Sequence, residues 1–237
     1  MQNTRAICFD LFATLVNVGR VPSRVGGFTA DILGVERKRW NEACFGPHHE
    51  IRQPSSHLDN LRRIAHSLDP SIPETSIQRA VQARQARFDY ALQHGIEAHV
   101  LEGLHRLRRL GYKLALISNA SSAEVQAWHS SPLAELFEVV VFSCETGHCK
   151  PEPGIYHRAL GLLDESADNC LFVGDGGSNE HLGAAAVGMK PVLLSHYLDD
   201  ETLQERHRLY QHVLETHITS LDELLVLVGK TTKGETG

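Results

Sequence analysis

Apolar residues along this chain fall into short unbroken blocks separated by longer stretches with helical spacing. The block Arg5-Ala6-Ile7-Cys8-Phe9 stops at a carboxylate, Asp10, and similar blocks recur at 113–117, 139–142, 170–173 and 191–194. Continuous apolar runs of strand length, alternating with helical patterns, predict a parallel sheet covered on both faces. The helical stretches fall near 100–110, where Leu101, Leu104, Leu107 and Leu110 share a face, and near 122–130, 153–162, 178–188 and 200–214. Strand, helix, strand repetition of this kind predicts an α/β fold with a doubly wound, Rossmann-like core.

One region breaks the rhythm. Between Asn17 and Ala98 no parallel-strand block occurs, but Ile77, Val81, Arg84, Phe88 and Leu92 lie on one helical face, and 57–68 has helical spacing as well. The expected organisation is a core of residues 1–17 and 95–237, with a helical cap of residues 18–94 inserted after the first strand. Ligands of open α/β sheets bind outside the carboxyl ends of the strands. An insertion leaving from that edge is placed to form a lid, with Trp40, His48, His49 and Arg52 as its candidates to face the site. The polar tail 229–237 is expected to fray.

Composition narrows the partner. A formal net charge of −6 at pH 7 provides no basic field for nucleic acid or anionic lipid. No apolar run approaches the roughly 20 residues of a membrane span, and the N-terminus enters the first strand without the pattern of a signal peptide. These features predict a cytoplasmic protein acting on a small molecule, with no nucleic-acid or membrane partner and the oligomeric state left open. Five cysteines, an odd number without a CxxC pair, suggest neither a disulfide framework nor a zinc ribbon. The 15 histidines are scattered, as solvated or packed imidazoles would be.

Four groups of polar residues stand at or just beyond strand ends. Asp10 opens Asp10-Leu11-Phe12-Ala13-Thr14; Ser118-Asn119 follows the second block; Lys150-Pro151-Glu152-Pro153 precedes a helix; and Gly174-Asp175-Gly176-Gly177 leads on to Glu180. Singly, each has a plain reading as a turn, a cap or a solvated loop lysine. Together they make one chemistry. A carboxylate with a pKa of about 3.9 is ionised at neutral pH and is a nucleophile that needs no activating base. Its obstacle is attack on an anion, and each opposite charge placed about 4 Å away offsets about 4 kcal/mol at an effective dielectric of about 20. Lys150 supplies one such charge. Asp10 and Asp175, with a backbone carbonyl, can hold a hard divalent cation such as Mg²⁺, while Ser118, Thr14 and turn amides hold the substrate's oxygens.

In motif content and order, across essentially the whole chain, the sequence resembles the haloacid dehalogenase superfamily. The resemblance implies a Rossmann-like core with an inserted helical cap and catalysis through a covalent aspartyl intermediate. It makes Asp10 the nucleophile, Ser118 and Lys150 ligands of the substrate's oxygens, Thr14 and Asn119 substrate-binding residues, and Asp175, with Asp10 and the Phe12 carbonyl, the holders of Mg²⁺. Glu180 becomes the acid of the fourth motif.

Two positions pull in opposite directions. Phosphatases of this superfamily usually carry a second aspartate two residues after the nucleophile, to protonate the leaving oxygen, and this chain has Phe12 there. An aromatic at that position resembles the dehalogenase branch, whose halide leaves without a proton, but that branch typically lacks the fourth-motif aspartate that Asp175 supplies. Losing a general acid costs about 10² to 10⁴ in rate, serious for an alkyl phosphate and minor for a leaving group that is already a stable anion. A phosphonatase would need a cap lysine, and the only one is Lys38, within the solvated-looking run Arg37-Lys38-Arg39. The favoured expectation is a Mg²⁺-dependent phosphatase of small phosphorylated metabolites. Its alternatives are a 2-haloacid dehalogenase-like hydrolase working through an aspartyl ester, and a weakly catalytic ligand-binding or regulatory protein.

Overall fold

A computed structural model of the chain describes residues 4–229; of the tail 229–237, expected to fray, Gly229 is the last residue of a helix and residues 230–237 lie outside the described residues. In chain order the elements are β1 (Ala6–Phe9), α1 (Thr29–Leu33), α2 (Arg37–Cys44), α3 (His57–Leu68), α4 (Glu74–His94), α5 (Ala98–Arg109), β2 (Lys113–Ser118), β3 (Val139–Phe142), α6 (Ser143–Thr146), α7 (Pro153–Leu163), β4 (Cys170–Gly174), α8 (Glu180–Ala186), β5 (Lys190–Leu194), α9 (Asp200–Tyr210), β6 (Thr216–Ile218) and α10 (Leu221–Gly229).

The six strands form one parallel sheet in the order β3-β2-β1-β4-β5-β6. Successive side chains of a strand point to opposite faces. Ile7 and Phe9 therefore join Val100, Leu104, Leu221 and Leu224 of α5 and α10, whereas Ala6 and Cys8 join Ile155, Tyr156, Ala159 and Ala184 of α7 and α8. Burial on both faces is why the strands read as unbroken apolar blocks. Helices α5 and α10 pack closely enough that a Cβ on Gly103 would come within 2.8 Å of the Leu221 Cβ. From β1 the chain winds first towards β3 and then, from β4, towards β6. The reversal lies between β1 and β4, where ligand crevices of such sheets open, and it puts the loops after Phe9 and Gly174 side by side.

Helices α1 to α4 carry an apolar cluster of their own, which includes Leu33, Trp40, Leu61, Ile64, Ile77 and Ala80. The Ser56 side chain accepts a hydrogen bond from the Asp59 amide and starts α3, and Gly34, at φ 71°, ends α1 in a left-handed conformation that glycine adopts without cost. Three ion pairs tie this part of the chain to the rest: Arg20–Glu97, Arg52–Glu152 and Arg84–Glu124.

The pattern at 122–130 does not form an α-helix. The chain there makes successive turns, with the amides of Glu124, Gln126, Trp128 and Ser130 donating to carbonyls three residues back, and only Trp128–Ser130 is a 3-10 turn. Ala123, Glu124, Val125, Ala127 and Trp128 are buried while Gln126, His129 and Ser130 are exposed, and the Gln85 side chain from α4 donates to the Ala123 carbonyl. Expected helix ends also shift: α8 covers Glu180–Ala186 and α9 stops at Tyr210, and β6 is a strand that the apolar pattern did not suggest.

Candidate active site

Asp10 leaves the end of β1 with its amide bonded to the Val173 carbonyl of β4 and its side chain buried. The tight loop after it is closed by the amides of Leu15 and Val16, which both donate to the Leu11 carbonyl, with Ala13 at φ 61°. This geometry returns Thr14 to the nucleophile: its hydroxyl donates to Asp10 Oδ2 at 2.8 Å and accepts from the Asp175 amide at 3.0 Å. One hydroxyl thus holds the β1 and β4 loops in register.

Lys150 is the central cation. Its Nζ lies 2.5 Å from both Asp10 Oδ1 and Glu180 Oε2. Burial alone would lower the lysine pKa, but the charges of Asp10 and Glu180 outweigh it and hold the ammonium protonated. The other Glu180 oxygen accepts from the Gly176 amide at 2.8 Å, and Tyr156 Oη donates to the Glu180 carbonyl. Asp175 Oδ1 accepts from the Gly177 amide.

Oxygen atoms of Asp10, Asp175 and Glu180 lie within 4.8 Å of one another, all on buried side chains. Three buried carboxylates around one lysine leave the site short of positive charge, a costly arrangement unless a cation completes it. The deficit has a cost for the carboxylates themselves: burial, then the charge of Asp10, pushes Asp175 up to about 6. Burial likewise pushes Glu180 up to about 8, with Lys150 opposing and Asp10 and Asp175 adding to it. The donor set suits a hard cation. Both oxygens of Asp10 and both of Glu180 accept hydrogen bonds, so the carboxylate oxygen of the trio with none among the described residues is Asp175 Oδ2. The Phe12 carbonyl accepts no hydrogen bond among the described residues.

Ser118 is buried at the end of β2, the strand beside β1. Asn119 follows it and grips the backbone of Lys150, its Nδ2 donating to the lysine carbonyl and its Oδ1 accepting from the lysine amide. Phe12 stands edge-on to Phe88 of α4, with ring centroids 5.2 Å apart. Among the four expected cap residues, none contacts the acidic cluster. Arg52 pairs with Glu152, His48 is exposed, His49 lies beside Glu124, and Trp40 is buried between helices. Lys38 is exposed, as its charged run suggested.

Two partners of the site were not visible in the sequence. His196, just after β5, lies with Nε2 2.6 Å from the Thr14 carbonyl, and Tyr210 Oη donates to the Gly176 carbonyl from α9. Neither belongs to a motif. Both act on backbone atoms, which leave no mark on residue type at the other end.

Comparison with known proteins gives a consistent result. The chain is 38% identical to a glyceraldehyde 3-phosphate phosphatase of Pyrococcus abyssi over 92 residues, 38% of each protein. It is 35% identical to the pyrophosphatase PpaX of Bacillus cereus over 112 residues, 46% of this chain and 50% of that one. The matched part thus spans about half or less of these relatives. Among solved structures, a dehalogenase superposes with a TM-score of 0.68 at 20% identity, covering 96% of this chain and 98% of that one. A haloacid dehalogenase-type phosphatase from Thermococcus onnurineus superposes with a TM-score of 0.63 at 21% identity, covering 95% and 98%. These two likenesses concern the fold. The haloacid dehalogenase-like hydrolase family matches residues 4–188, and with the motif geometry described above this chain belongs to that family.

Proposed function

We propose that the protein is a Mg²⁺-dependent phosphatase of small, anionic phosphorylated metabolites, acting through an aspartyl-phosphate on Asp10. The observation that carries this reading is the buried trio of Asp10, Asp175 and Glu180 around the single ammonium of Lys150. Without a cation such a trio would repel an anionic substrate; with Mg²⁺ on Asp10, Asp175 and the Phe12 carbonyl it becomes a phosphoryl site. The bound metal would supply the positive charge that lets a carboxylate approach a phosphate. The names of the two sequence relatives, both phosphatases, support the same choice.

In the first step an Asp10 oxygen attacks phosphorus while the bond to the leaving oxygen breaks, and that oxygen departs with the electron pair. Lys150 and Ser118 hold the non-bridging oxygens, and Thr14 keeps Asp10 in the orientation for attack. Asn119 contributes through Lys150, whose backbone it grips. In the second step water attacks phosphorus of the aspartyl-phosphate, releasing phosphate and restoring Asp10. Phe12 carries no proton to give, so the leaving group must be stable as an anion, as in acyl and aryl phosphates. Residues 18–94 act as the cap that closes over the strand ends and excludes water. No described helix is long and apolar enough to cross a membrane, and five free cysteines fit a reducing compartment such as the cytoplasm.

The test is phosphate release from acetyl phosphate and p-nitrophenyl phosphate, with Mg²⁺ and with a chelator, beside Asp10→Asn. Metal-dependent release that disappears in the variant supports the proposal; its absence in both conditions sinks it. Phe12 favours one second reading, hydrolysis of a 2-haloacid through an ester on Asp10. That reading requires halide release in the presence of the chelator.

A further inference from the structure

Away from the acidic cluster, helices α1, α2 and α4 enclose a cavity of about 370 Å³. Its walls include Phe28, Arg37, Trp40, Asn41, Arg87 and Phe88. Phe88 is also the ring partner of Phe12, two residues from Asp10, and Val18 and Gly19 of the segment following β1 line the same space. The cavity therefore shares Phe88 with the Phe12 contact and is bounded by the turn Val18–Arg20 that follows the Asp10 loop.

Its charge is unbalanced. Arg37 is paired with Asp31, and Arg84, which also lines the space, with Glu124. Arg87 has no carboxylate partner among the described residues, although it is 4% exposed. Its Nη1 donates to the Val21 and Gly26 carbonyls and its Nη2 to that of Val18. A guanidinium has five N–H donors, so Nε and one Nη2 hydrogen are left without an acceptor among the described residues. The ring of Phe28 lies 4.3 Å from the guanidinium carbons of both Arg87 and Arg37. Burial and the nearby Arg37 charge lower the Arg87 pKa. A buried, uncompensated guanidinium on the wall of a cavity is stabilised by an anion, and its leftover donors suit the two coplanar oxygens of a carboxylate.

We propose that this cavity is a subsite for a carboxylate carried on a flat, apolar arm of the substrate, with Arg87 facing the carboxylate and Phe28, Trp40 and Phe88 facing the arm. The proposal deepens the phosphatase reading and rests on it for the word substrate. The substrate class is then an aryl or acyl phosphate bearing a second, distal negative charge.

The experiment has a binding arm and a kinetic arm. In the first, calorimetry and tryptophan emission follow titration with benzoate and with benzyl alcohol, which share the ring and differ in charge. Benzoate is expected to bind about tenfold more tightly, as one charge-assisted hydrogen-bonded contact allows, and to change the emission of Trp40. Asn41→Asp places a carboxylate in the wall, at an exposed position where it need not disturb folding, and is expected to remove most of the benzoate advantage. Equal binding of the two probes, or a benzoate affinity indifferent to Asn41→Asp, overturns the subsite. In the second arm, kcat/KM is compared for 3-carboxyphenyl phosphate and phenyl phosphate. The expected ratio of about ten falls towards one in Asn41→Asp, and a ratio of one in the native protein overturns its use for substrate. Failure to turn over either phosphate counts against the phosphatase reading alone, and the binding arm still decides the subsite.

Discussion

Asn119 and Lys150 hold one another by a reciprocal pair of hydrogen bonds, Nδ2 to the lysine carbonyl at 3.0 Å and the lysine amide to Oδ1 at 2.7 Å. The ammonium between Asp10 and Glu180 is thus aimed by its own backbone, which is anchored to the end of the neighbouring strand β2. Asn119→Ala removes both bonds and leaves two backbone groups to find water. The expected cost is about 2 kcal/mol of stability and a fall in kcat of about ten- to a hundredfold, since Lys150 then explores more than one position. Denaturant titration beside steady-state kinetics checks both. An unchanged kcat in a destabilised protein would assign Asn119 a purely structural part.

Phe12 stands where a proton donor would serve a phosphatase, and its ring packs on Phe88 at the boundary with α4. Phe12→Asp gives the leaving oxygen an acid at the cost of that ring contact. Hydrolysis of an alkyl phosphate is expected to rise at least tenfold relative to that of an aryl phosphate, within the range a general acid contributes. The ratio of the two kcat/KM values in one preparation is the readout. Because both are measured on the same protein, any loss of folded material cancels.

Asp175, held at about 6 by burial and the charge of Asp10, binds its proton more tightly in the folded protein than in the unfolded chain. Stability of the metal-free protein therefore falls as pH rises from about 4, the unfolded value, through about 6. Asp175→Asn removes this penalty. The metal-free variant is expected to be more stable than the native protein at neutral pH, by on the order of 3 kcal/mol. Mg²⁺, which stabilises only a protein that binds it folded, is expected to raise the melting temperature of the native chain and not of the variant. A variant less stable than the native chain would contradict the charge deficit.

Residue type carries strong information where a strand delivers a side chain into a crevice. Asp10, Ser118 and Asp175 stand out because each ends an apolar block or opens a glycine-rich turn, Lys150 because it stands in a proline-flanked segment before a helix, and α3 is bounded as its spacing indicates. Information fails where tertiary contacts replace the local pattern. At 122–130 the burial of Ala123, Glu124, Val125, Ala127 and Trp128 and the Gln85 bond to Ala123 favour turns over helix. His196 serves Thr14 through a carbonyl, so nothing about residue 14 announces it. Arg87 lies one helical turn short of Ala91 on a face that looks amphipathic, and its burial depends on the carbonyls of Val18, Val21 and Gly26, far away in sequence.

Glu124 links that turn segment to α4. Burial alone would raise its pKa, but His49, Arg84 and the Ser121 amide outweigh burial and lower it. A carboxylate whose folded pKa is depressed adds stability above its unfolded value, about 4.3, and that stability is lost as pH falls through the folded value. In Arg84→Met the Arg84–Glu124 ion pair at 2.5 Å is gone while His49 stays 3.5 Å from the carboxylate, and a buried carboxylate that has lost one of its cations costs up to about 3–5 kcal/mol at neutral pH. Acid reverses the comparison. As pH approaches about 4, Glu124 of the variant takes up a proton and its burial becomes cheap, while the native protein loses the benefit of its ion pair. The stability gap between the two proteins, measured by urea denaturation, is therefore expected to be large at about pH 7 and to shrink on acidification. A gap independent of pH would mean that Arg84 acts through its packing on Phe88, where its guanidinium lies 4.7 Å from the ring centre, and not through its charge.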